Sequence, residues 1–337
     1  VLKGAPAVET ECSEEMEDRM EKRVESAEKR GCRERKSTVL RRRLEVPGSV
    51  VAPGVYDGLS ARICEMVGFE VVFHSGYGTA ASVLGQPDVG LLDMTEMARQ
   101  VRSVARAVDI PVIGDADTGF GNAVNVCRTV EEYIVAGAAG LFLEDQLSPK
   151  RCGHMGGKLV IDTEEMMGKL RGALDTRNAL DPDFVILFRT DAIAVNGFDD
   201  ALDRARRAVE AGADVIFFEA LETREQMERA VREISVPLML NLIEGGRTPL
   251  VGYDEAEKMG FKLIVPALSC LFAAAKGMYD VMREVRSQGV SDRYADRLFS
   301  FGEFAGIVRA ERIRDMEERY LPPATVKAKY RGGGSIV

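Results

Sequence analysis

The sequence predicts an α/β fold, a (β/α)8 TIM-type barrel with extra C-terminal helices. Three observations predict it. Eight short apolar runs follow one another from Ser49 onward, at residues 50–53, 71–74, 112–115, 140–144, 185–189, 215–219, 238–241 and 263–266. Nearly all are continuously apolar, as parallel strands covered on both faces are. Amphipathic helical stretches alternate with these runs, and eight β-then-α units over about 220 residues match the usual size of such a barrel. Polar residues also recur at the ends of the runs: His74, Asp115, Glu144, Arg189, Glu219 and Asn241. A ring of polar strand ends around one mouth is what a barrel active site requires. An open doubly wound sheet would instead gather its ligand glycines after the first strand.

Taken in order, residues 1–46 form a charged extension, dense in Glu, Lys and Arg from Glu11 to Glu45. Residues 13–43 can form a charged helix, and residues 1–30 read as a solvated or partly disordered segment. Residues 37–44 are expected to pack on the main domain. Between the apolar runs, residues 201–211 place Ala201, Ala205, Ala208 and Val209 on one face and leave Arg204, Arg206 and Arg207 more exposed. Glycines at 137, 212 and 260 stand where helices should end in a left-handed cap before the next strand. An apolar helix over 268–285 follows the last run. A further stretch over 292–317 carries Leu298, Phe301, Phe304, Ile307 and Val308 at helical spacing. Such a surface serves oligomerisation or packs on its own barrel. The organisation is therefore an extension (1–46), a barrel with C-terminal helices (47–320) and a tail (321–337).

The net charge of −9 argues against a nucleic-acid-binding surface. No apolar stretch approaches the ~20 residues that span a bilayer, and no signal-peptide pattern is present, so no membrane partner is expected. The cysteines at 12, 32, 64, 127, 152 and 270 are scattered without CxxC spacing. They read as reduced thiols in a cytoplasmic protein. Only His74 and His154 could join them as nitrogen ligands, which argues against zinc.

The chemistry concentrates in two glycine-rich loops. In Gly114-Asp115-Ala116-Asp117-Thr118-Gly119, two carboxylates stand two apart at a strand end and favour a cation between them. Glu144 ends the next run as a third oxygen ligand. All-oxygen donors point to Mg²⁺ or Mn²⁺; the competing reading is an Asx turn at Asp117. In the loop 150–158, Cys152 lies among Lys150, Arg151, His154 and Lys158, which are expected to lower its pKa. Its thiol could be a nucleophile or a proton donor. Cys64, Cys127 and Cys270 read as buried and inert. Arg189 interrupts an apolar run and must bind an anion or pair with Asp191 or Glu219. Glu219 and Asn241 are candidate supporting or substrate contacts, and His74 reads as a core histidine. The amides of Ser75, Gly76, Tyr77 and Gly78 could hold a carboxylate.

With these motifs together, Gly114–Asn122 included, the chain resembles the isocitrate lyase/phosphoenolpyruvate mutase superfamily over about residues 47–285. The other segments that carry the resemblance are Leu-Glu-Asp-Gln at 143–146, Lys-Arg-Cys-Gly-His at 150–154, Arg-Thr-Asp-Ala at 189–192 and the glycine-rich stretch 75–90. The cysteine loop resembles the carbon–carbon lyase branch, which includes 2-methylisocitrate lyase, 2,3-dimethylmalate lyase and oxaloacetate hydrolase. Members acting on phosphonopyruvate lack that loop. The resemblance implies a homotetramer with an exchanged C-terminal helix. It implies Mg²⁺ near Asp115, with Asp88, Asp117 and Glu144 contributing. Ser75, Gly76 and Tyr77 would hold the 2-oxo acid carboxylate. Arg189, His154, Gly153 and Asn241 would contact the other carboxylates of a small carboxylate substrate, and Cys152 would protonate the departing carbanion.

One departure stands out. Where 2-methylisocitrate lyases carry a tyrosine before the Ser-Gly pair, this chain has Phe73, and a phenyl ring cannot act as a base. The substitutes are Tyr77 and a metal-bound hydroxide. The expected function is a Mg²⁺-dependent lyase for a 2-methylisocitrate or 2,3-dimethylmalate type substrate. The alternatives are hydrolysis of oxaloacetate and a non-catalytic dicarboxylate-binding barrel.

Overall fold

The computed structural model describes residues 34–289 and 292–330. All strands are parallel. They are β1 (Val50–Val51), β2 (Gly54–Val55), β3 (Val72–His74), β4 (Val112–Asp115), β5 (Gly140–Glu144), β6 (Val185–Thr190), β7 (Val215–Phe218), β8 (Leu238–Leu242) and β9 (Leu263–Pro266). β1 pairs with β9 and β2 with β3, at opposite ends of the strand order β1-β9-β8-β7-β6-β5-β4-β3-β2. β1 and β2 are two halves of one strand, parted at Ala52-Pro53. Ala52 N–H still donates to the Ile264 carbonyl (2.9 Å), and the Pro53 carbonyl accepts from Phe73 N–H (3.0 Å). The ladder thus runs through the proline and closes an eight-stranded barrel. Each of the eight expected runs supplies one strand.

Side chains alternate across the barrel wall. Phe73, Ile113, Phe142, Leu187, Phe217, Met239 and Val265 fill the interior. Leu141, Leu143, Ile186, Phe188, Ile216 and Leu240 face the surrounding helices. Those helices include α2 (Gly58–Met66) after β2, a short α3 (Gly76–Thr79) and then α4 (Met94–Ala107) after β3, and α5 (Ala123–Ala136) after β4. α6 (Thr163–Leu180) follows β5, α7 (Ile193–Asn196) and α8 (Phe198–Ala211) follow β6, α9 (Arg224–Glu233) follows β7, and α10 (Tyr253–Met259) follows β8. Gly137, Gly212 and Gly260 do close α5, α8 and α10 in the left-handed conformation. Arg204 departs from expectation: it is buried, donating to Asp145 Oδ2 (3.3 Å), Asp200 Oδ2 (2.8 Å) and the Ile161 carbonyl (2.9 Å).

Helix α1 (Lys36–Glu45) buries Ser37, Leu40 and Leu44. The two leucines extend the interior cluster beside Val71 and Ala139. Lys36, Ser37, Thr38 and Arg41 bond to residues 105, 108, 181, 183, 184 and 214. The helix therefore belongs to the barrel unit, which begins at Lys36 rather than at residue 47. The expectations for residues 1–30 and for a tail at 331–337 lie outside the described residues.

After β9, α11 (Ser269–Gln288) buries only Val281 fully. Met278, Tyr279 and Met282 stand exposed. The stretch expected to be one helix over 292–317 is divided into a 3-10 turn (Asp292–Arg297), α12 (Phe301–Ile307) and α13 (Ala310–Tyr320). Arg309 makes the break at φ +56°, a left-handed conformation that ends a helix. Its guanidinium reaches Glu65 Oε2 at 2.7 Å. α14 (Pro323–Lys329) follows, inside the span expected to be tail. Leu298, Phe299, Phe301 and Phe304 are exposed. Among the described residues, no helix is long and apolar enough to cross a membrane.

Candidate active site

The C-terminal ends of β4 to β8 deliver Asp115, Glu144, Arg189, Glu219 and Asn241 to one mouth, all of them buried, while His74 at the end of β3 faces the opposite way from Phe73. Asp115 anchors one side. Its Oδ2 accepts from Gly76 N–H (2.9 Å) and its Oδ1 from Asp117 N–H (2.9 Å). A Cβ on Gly76 would stand 2.5 Å from Asp115 Oδ2, so only glycine lets the β3 turn approach this carboxylate. Asp117 is not in extended backbone, as its two-residue spacing from Asp115 suggested. It sits at φ +47°, turned by an Asx bond from Asp115.

Lys150 lies between two of these carboxylates, 2.8 Å from Asp88 Oδ2 and 2.8 Å from Asp117 Oδ1. Burial opposes its charge, but Asp117, Asp88, Asp115 and Glu144 outweigh that and keep the ammonium protonated. Burial likewise raises Asp88 and pushes Asp117 up to about 6, with Lys150 pulling both back. Burial raises Glu144 well above the usual range, against the pull of Arg189. Both Glu144 oxygens lack a hydrogen-bond donor. Among the described residues, no three carboxylate, imidazole or thiolate groups converge as a ready-made metal cage. The donor set nevertheless fits a hard divalent cation: all oxygen, surplus in negative charge, and with buried oxygens left without donors.

The cysteine loop lies against this cluster. Cys152 N–H donates to the Asp88 carbonyl (3.0 Å). Gln146 holds the loop from both sides, accepting from Arg151 N–H (3.0 Å) and donating to the Arg151 carbonyl (2.8 Å). The thiol pKa is not lowered, contrary to the sequence expectation. Burial pushes it up to about 11, a hydrogen bond from the His154 backbone lowers it, and Glu219 and Asp88 raise it further. The nearby cations are engaged elsewhere: Lys150 with Asp88 and Asp117, and Lys158 with Asp191 Oδ1 (2.9 Å) and the Gly153 carbonyl. At neutral pH Cys152 is a thiol, and so a proton donor rather than a thiolate nucleophile.

Arg189 lies 3.2 Å from Glu144 Oε2, 2.8 Å from Asp191 Oδ2 and 3.4 Å from Glu219 Oε2. Its guanidinium also faces the rings of Phe142 (5.5 Å) and Phe217 (5.2 Å). Both pairing partners expected from sequence are present, and Glu144 is a third. Glu219 in turn lies 2.8 Å from His154 Nε2, and His154 Nδ1 accepts from Arg247 N–H (2.9 Å). Burial favours neutral Glu219, but Arg189 and His154 prevail and lower its pKa. Asp191, between Arg189 and Lys158, is lowered to about 2 against the effect of its burial. A Cβ on Gly153 would stand 2.2 Å from Glu219 Cγ and 2.6 Å from Arg189 Nη2.

The structure thus brings Asp88, Asp115, Asp117, Glu144, Cys152, Gly153, His154, Arg189 and Glu219 together. Asn241 presents a buried Oδ1 without a partner. The turn after β3 needs correction. Ser75 N–H donates to the Val55 carbonyl (2.8 Å), Gly76 N–H to Asp115, and Gly78 N–H to Ser75 Oγ (3.1 Å). These three amides are already used, which leaves the Tyr77 amide and the Ser75 hydroxyl hydrogen as the donors of this turn. Burial, then Cys152 and Asp88, raise the Tyr77 phenol, so it is a proton donor rather than a base at neutral pH. Phe73 points into the barrel and stacks on Phe142 at 5.3 Å. His74 bonds to Thr79 Oγ1 (3.0 Å), and burial lowers its pKa to about 4, as suits a neutral core histidine. Sequence reasoning gave Lys150 and Lys158 only an effect on Cys152, and Asp191 only a pairing with Arg189, and missed the Lys150 bridge to Asp88 and Asp117 and the Lys158 pair with Asp191. Their signal was present, as lysines in the cysteine loop and an acid two residues after Arg189.

Comparison with known proteins agrees with this geometry. The family model described as phosphoenolpyruvate phosphomutase matches residues 40–286. The 2,3-dimethylmalate lyase of Eubacterium barkeri is 44% identical over 281 residues, covering 83% of this chain and 96% of that protein. The chloroplastic carboxyvinyl-carboxyphosphonate phosphorylmutase of Arabidopsis thaliana is 44% identical over 287 residues, covering 84% of each. Among solved structures, oxaloacetate acetylhydrolase bound to 3,3-difluorooxalacetate superposes with a TM-score of 0.81 at 35% identity, covering 84% of this chain and 96% of that one. The family match spans the barrel and its mouth, and relatives above 40% identity cover more than four fifths of the chain, so the chain belongs to the phosphoenolpyruvate mutase/isocitrate lyase superfamily.

Proposed function

We propose that this chain is a cytoplasmic, Mg²⁺-dependent carbon–carbon lyase. It cleaves a 2-hydroxy di- or tricarboxylate of the 2,3-dimethylmalate or 2-methylisocitrate type into a 2-oxo acid and a carboxylate. The observation that carries this reading is the Cys152 thiol, buried, kept protonated and set against the carboxylate cluster. As the 2-hydroxyl gives up its proton to water, C=O forms and the C2–C3 bond breaks, which leaves a carbanion on the departing carboxylate that the neutral thiol protonates.

Asp88, Asp115, Asp117 and Glu144 would hold the metal, Mg²⁺ or Mn²⁺. Bound there, it supplies Lewis-acid polarisation of the substrate oxygens. The chain's own residues do the rest. Ser75 and Tyr77 donate hydroxyl hydrogens toward the 2-oxo acid portion. His154, Asn241 and Arg189 orient the remaining carboxylates, with Gly153 allowing close approach. Glu219 holds His154 and adds to the burial that keeps the thiol protonated. The exposed apolar residues of α11 to α13 support a homotetramer in which C-terminal helices pack on neighbouring copies.

Hydrolysis of oxaloacetate is the second reading, favoured by the superposition on oxaloacetate acetylhydrolase. A dicarboxylate-binding barrel without turnover is the third. One assay separates them: Mg²⁺ with 2,3-dimethylmalate, 2-methylisocitrate, isocitrate, oxaloacetate and a phosphonopyruvate in parallel. Pyruvate or glyoxylate from a malate or tricarboxylate is the expected result. Oxalate from oxaloacetate alone would make the chain a hydrolase. Turnover of the phosphonate alone, or binding of oxalate without any turnover, would overturn the lyase reading.

A further inference from the structure

Cys64 and Cys270 are 206 positions apart in sequence, yet their sulfurs lie 3.6 Å apart. Cys64 is in α2, buried to 2% exposure, and Cys270 is the second residue of α11, partly exposed. This pair lies outside the carboxylate mouth and has no part in the chemistry proposed above. We propose that Cys64 and Cys270 form a modification site, a dithiol that a hydroperoxide converts into an intramolecular disulfide between α2 and the root of α11.

Several observations support it. The sulfurs need close by only about 1.5 Å to reach the ~2.05 Å of a disulfide, a shift within reach of side-chain rotation. The two thiols differ in access and environment as an attacking and a resolving cysteine should. Cys270 is in the first turn of a 20-residue helix whose N-terminal amides have no side-chain cap, a position that favours a thiolate. The hydrogen bond from Cys64 lowers Cys270 to about 7, against burial and the charge of Asp57, while Cys64 is correspondingly raised. Tyr56 also faces this sulfur. Finally, α11 buries only Val281 fully, so a covalent link at its first turn would join an otherwise lightly packed helix to the barrel wall.

The chemistry balances. The Cys270 thiolate attacks one oxygen of hydrogen peroxide, the O–O bond breaks, and hydroxide leaves, giving a sulfenic acid. Cys64 then loses its proton, its sulfur attacks Cys270 Sγ, and the sulfenic oxygen leaves as water. Two thiols and one peroxide become one disulfide and two waters, with two electrons passing from sulfur to oxygen. Reducing conditions keep the pair open, so such a bond in a cytoplasmic protein is reversible.

The test uses the full-length, reduced protein, treated with one to two equivalents of hydrogen peroxide and mapped as unreduced proteolytic peptides. The expected product is a linked peptide containing Cys64 and Cys270, reversed by dithiothreitol. It should come with a rise in melting temperature of about 5 °C, since the bond closes a long loop. Cys64→Ser should let Cys270 proceed to sulfinic acid, and Cys270→Ser should leave Cys64 unoxidised. Repeating the experiment in Cys152→Ser removes the active-site thiol from the competition. Oxidation of Cys270 beyond sulfenic acid with Cys64 still free in the unmutated chain would overturn the proposal. So would linked peptides that omit this pair, or no oxidation of either residue.

Discussion

Replacing Gly153 by alanine probes the site at its tightest point. The added Cβ would stand 2.2 Å from Glu219 Cγ, 2.4 Å from Glu219 Cδ and 2.6 Å from Arg189 Nη2. Ordinary contacts between such atoms begin near 3.4–4 Å, so the loop or the Arg189–Glu219 pair must move by about 1 Å. Neither partner yields cheaply. Arg189 is held by Asp191, Glu144 and two aromatic rings, and Glu219 by His154. A displacement of about 1 Å in catalytic geometry costs on the order of 10²-fold in rate. Overpacking at this point costs about 1–3 kcal/mol of stability. The assay is kcat/KM for the cleaved substrate beside a thermal melt, with Gly156→Ala as the control, because no atom lies within 4 Å of its Cβ position. The expected result is a loss of about 10²-fold for Gly153→Ala and a change below about threefold for Gly156→Ala. Equal activity in the two variants would refute the packing of the cysteine loop on Arg189 and Glu219.

Cys152→Ser should lower turnover by at least about 10²-fold, the usual contribution of a general acid, while Mg²⁺ binding measured by calorimetry persists. Because the Cys152 pKa stands at about 11, its alkylation by iodoacetamide should be slow at pH 7 and rise about tenfold per pH unit toward pH 10; a rate already flat at pH 7 would contradict the raised pKa. Asp115→Ala should abolish metal dependence, and activity unchanged by a chelator in the unmutated chain would remove the metal from the mechanism. Lys158→Met leaves Asp191 with one cationic partner fewer and should cost about 3–5 kcal/mol, read as a shift of the urea midpoint. Asp191 is depressed to about 2 in the fold against about 3.9 unfolded, so its contribution is present above pH 4 and is lost as the pH falls toward 2; a urea midpoint unchanged between pH 5 and pH 2.5 would oppose this.

The strands and their polar ends were legible because a parallel barrel buries both faces of each strand. Continuous apolar runs ending in Asp115, Glu144, Arg189, Glu219 and Asn241 can hardly be read otherwise. Two kinds of information were not legible. The first is partner choice among charges. The lysines around Cys152 suggested a lowered pKa, but they are drawn to Asp88, Asp117 and Asp191, residues that only folding brings near. Arg204 misled for the same reason, since its helix periodicity says nothing of Asp145 beneath it. The second is the use of backbone donors. The amides of Ser75, Gly76 and Gly78 looked free to bind an anion, but strand pairing, Asp115 and a local cap had already taken them. The closeness of Cys64 and Cys270 also depends on barrel closure and cannot be seen along the chain.

The charges of the mouth explain why an anionic substrate needs help to enter it. Asp88, Asp115, Asp117, Glu144, Asp191 and Glu219 are faced by Lys150, Lys158 and Arg189, with His154 on Glu219, and each of the three cations already has a protein carboxylate within 3.4 Å. A di- or tricarboxylate would add negative charge to a buried site already in surplus, where such charges are weakly screened. Burial raises Asp88, Asp117 and Glu144, and their neighbouring carboxylates add to it, so each has a raised proton affinity. A divalent cation relieves the same surplus without the protons and leaves the carboxylates as ligands. A cation held there and an anionic substrate would bind with positive coupling, each raising the affinity of the other by the same factor. Glu219 stays charged through this, because Arg189 and His154 hold it low, and its charge adds to the burial that keeps the Cys152 proton in place.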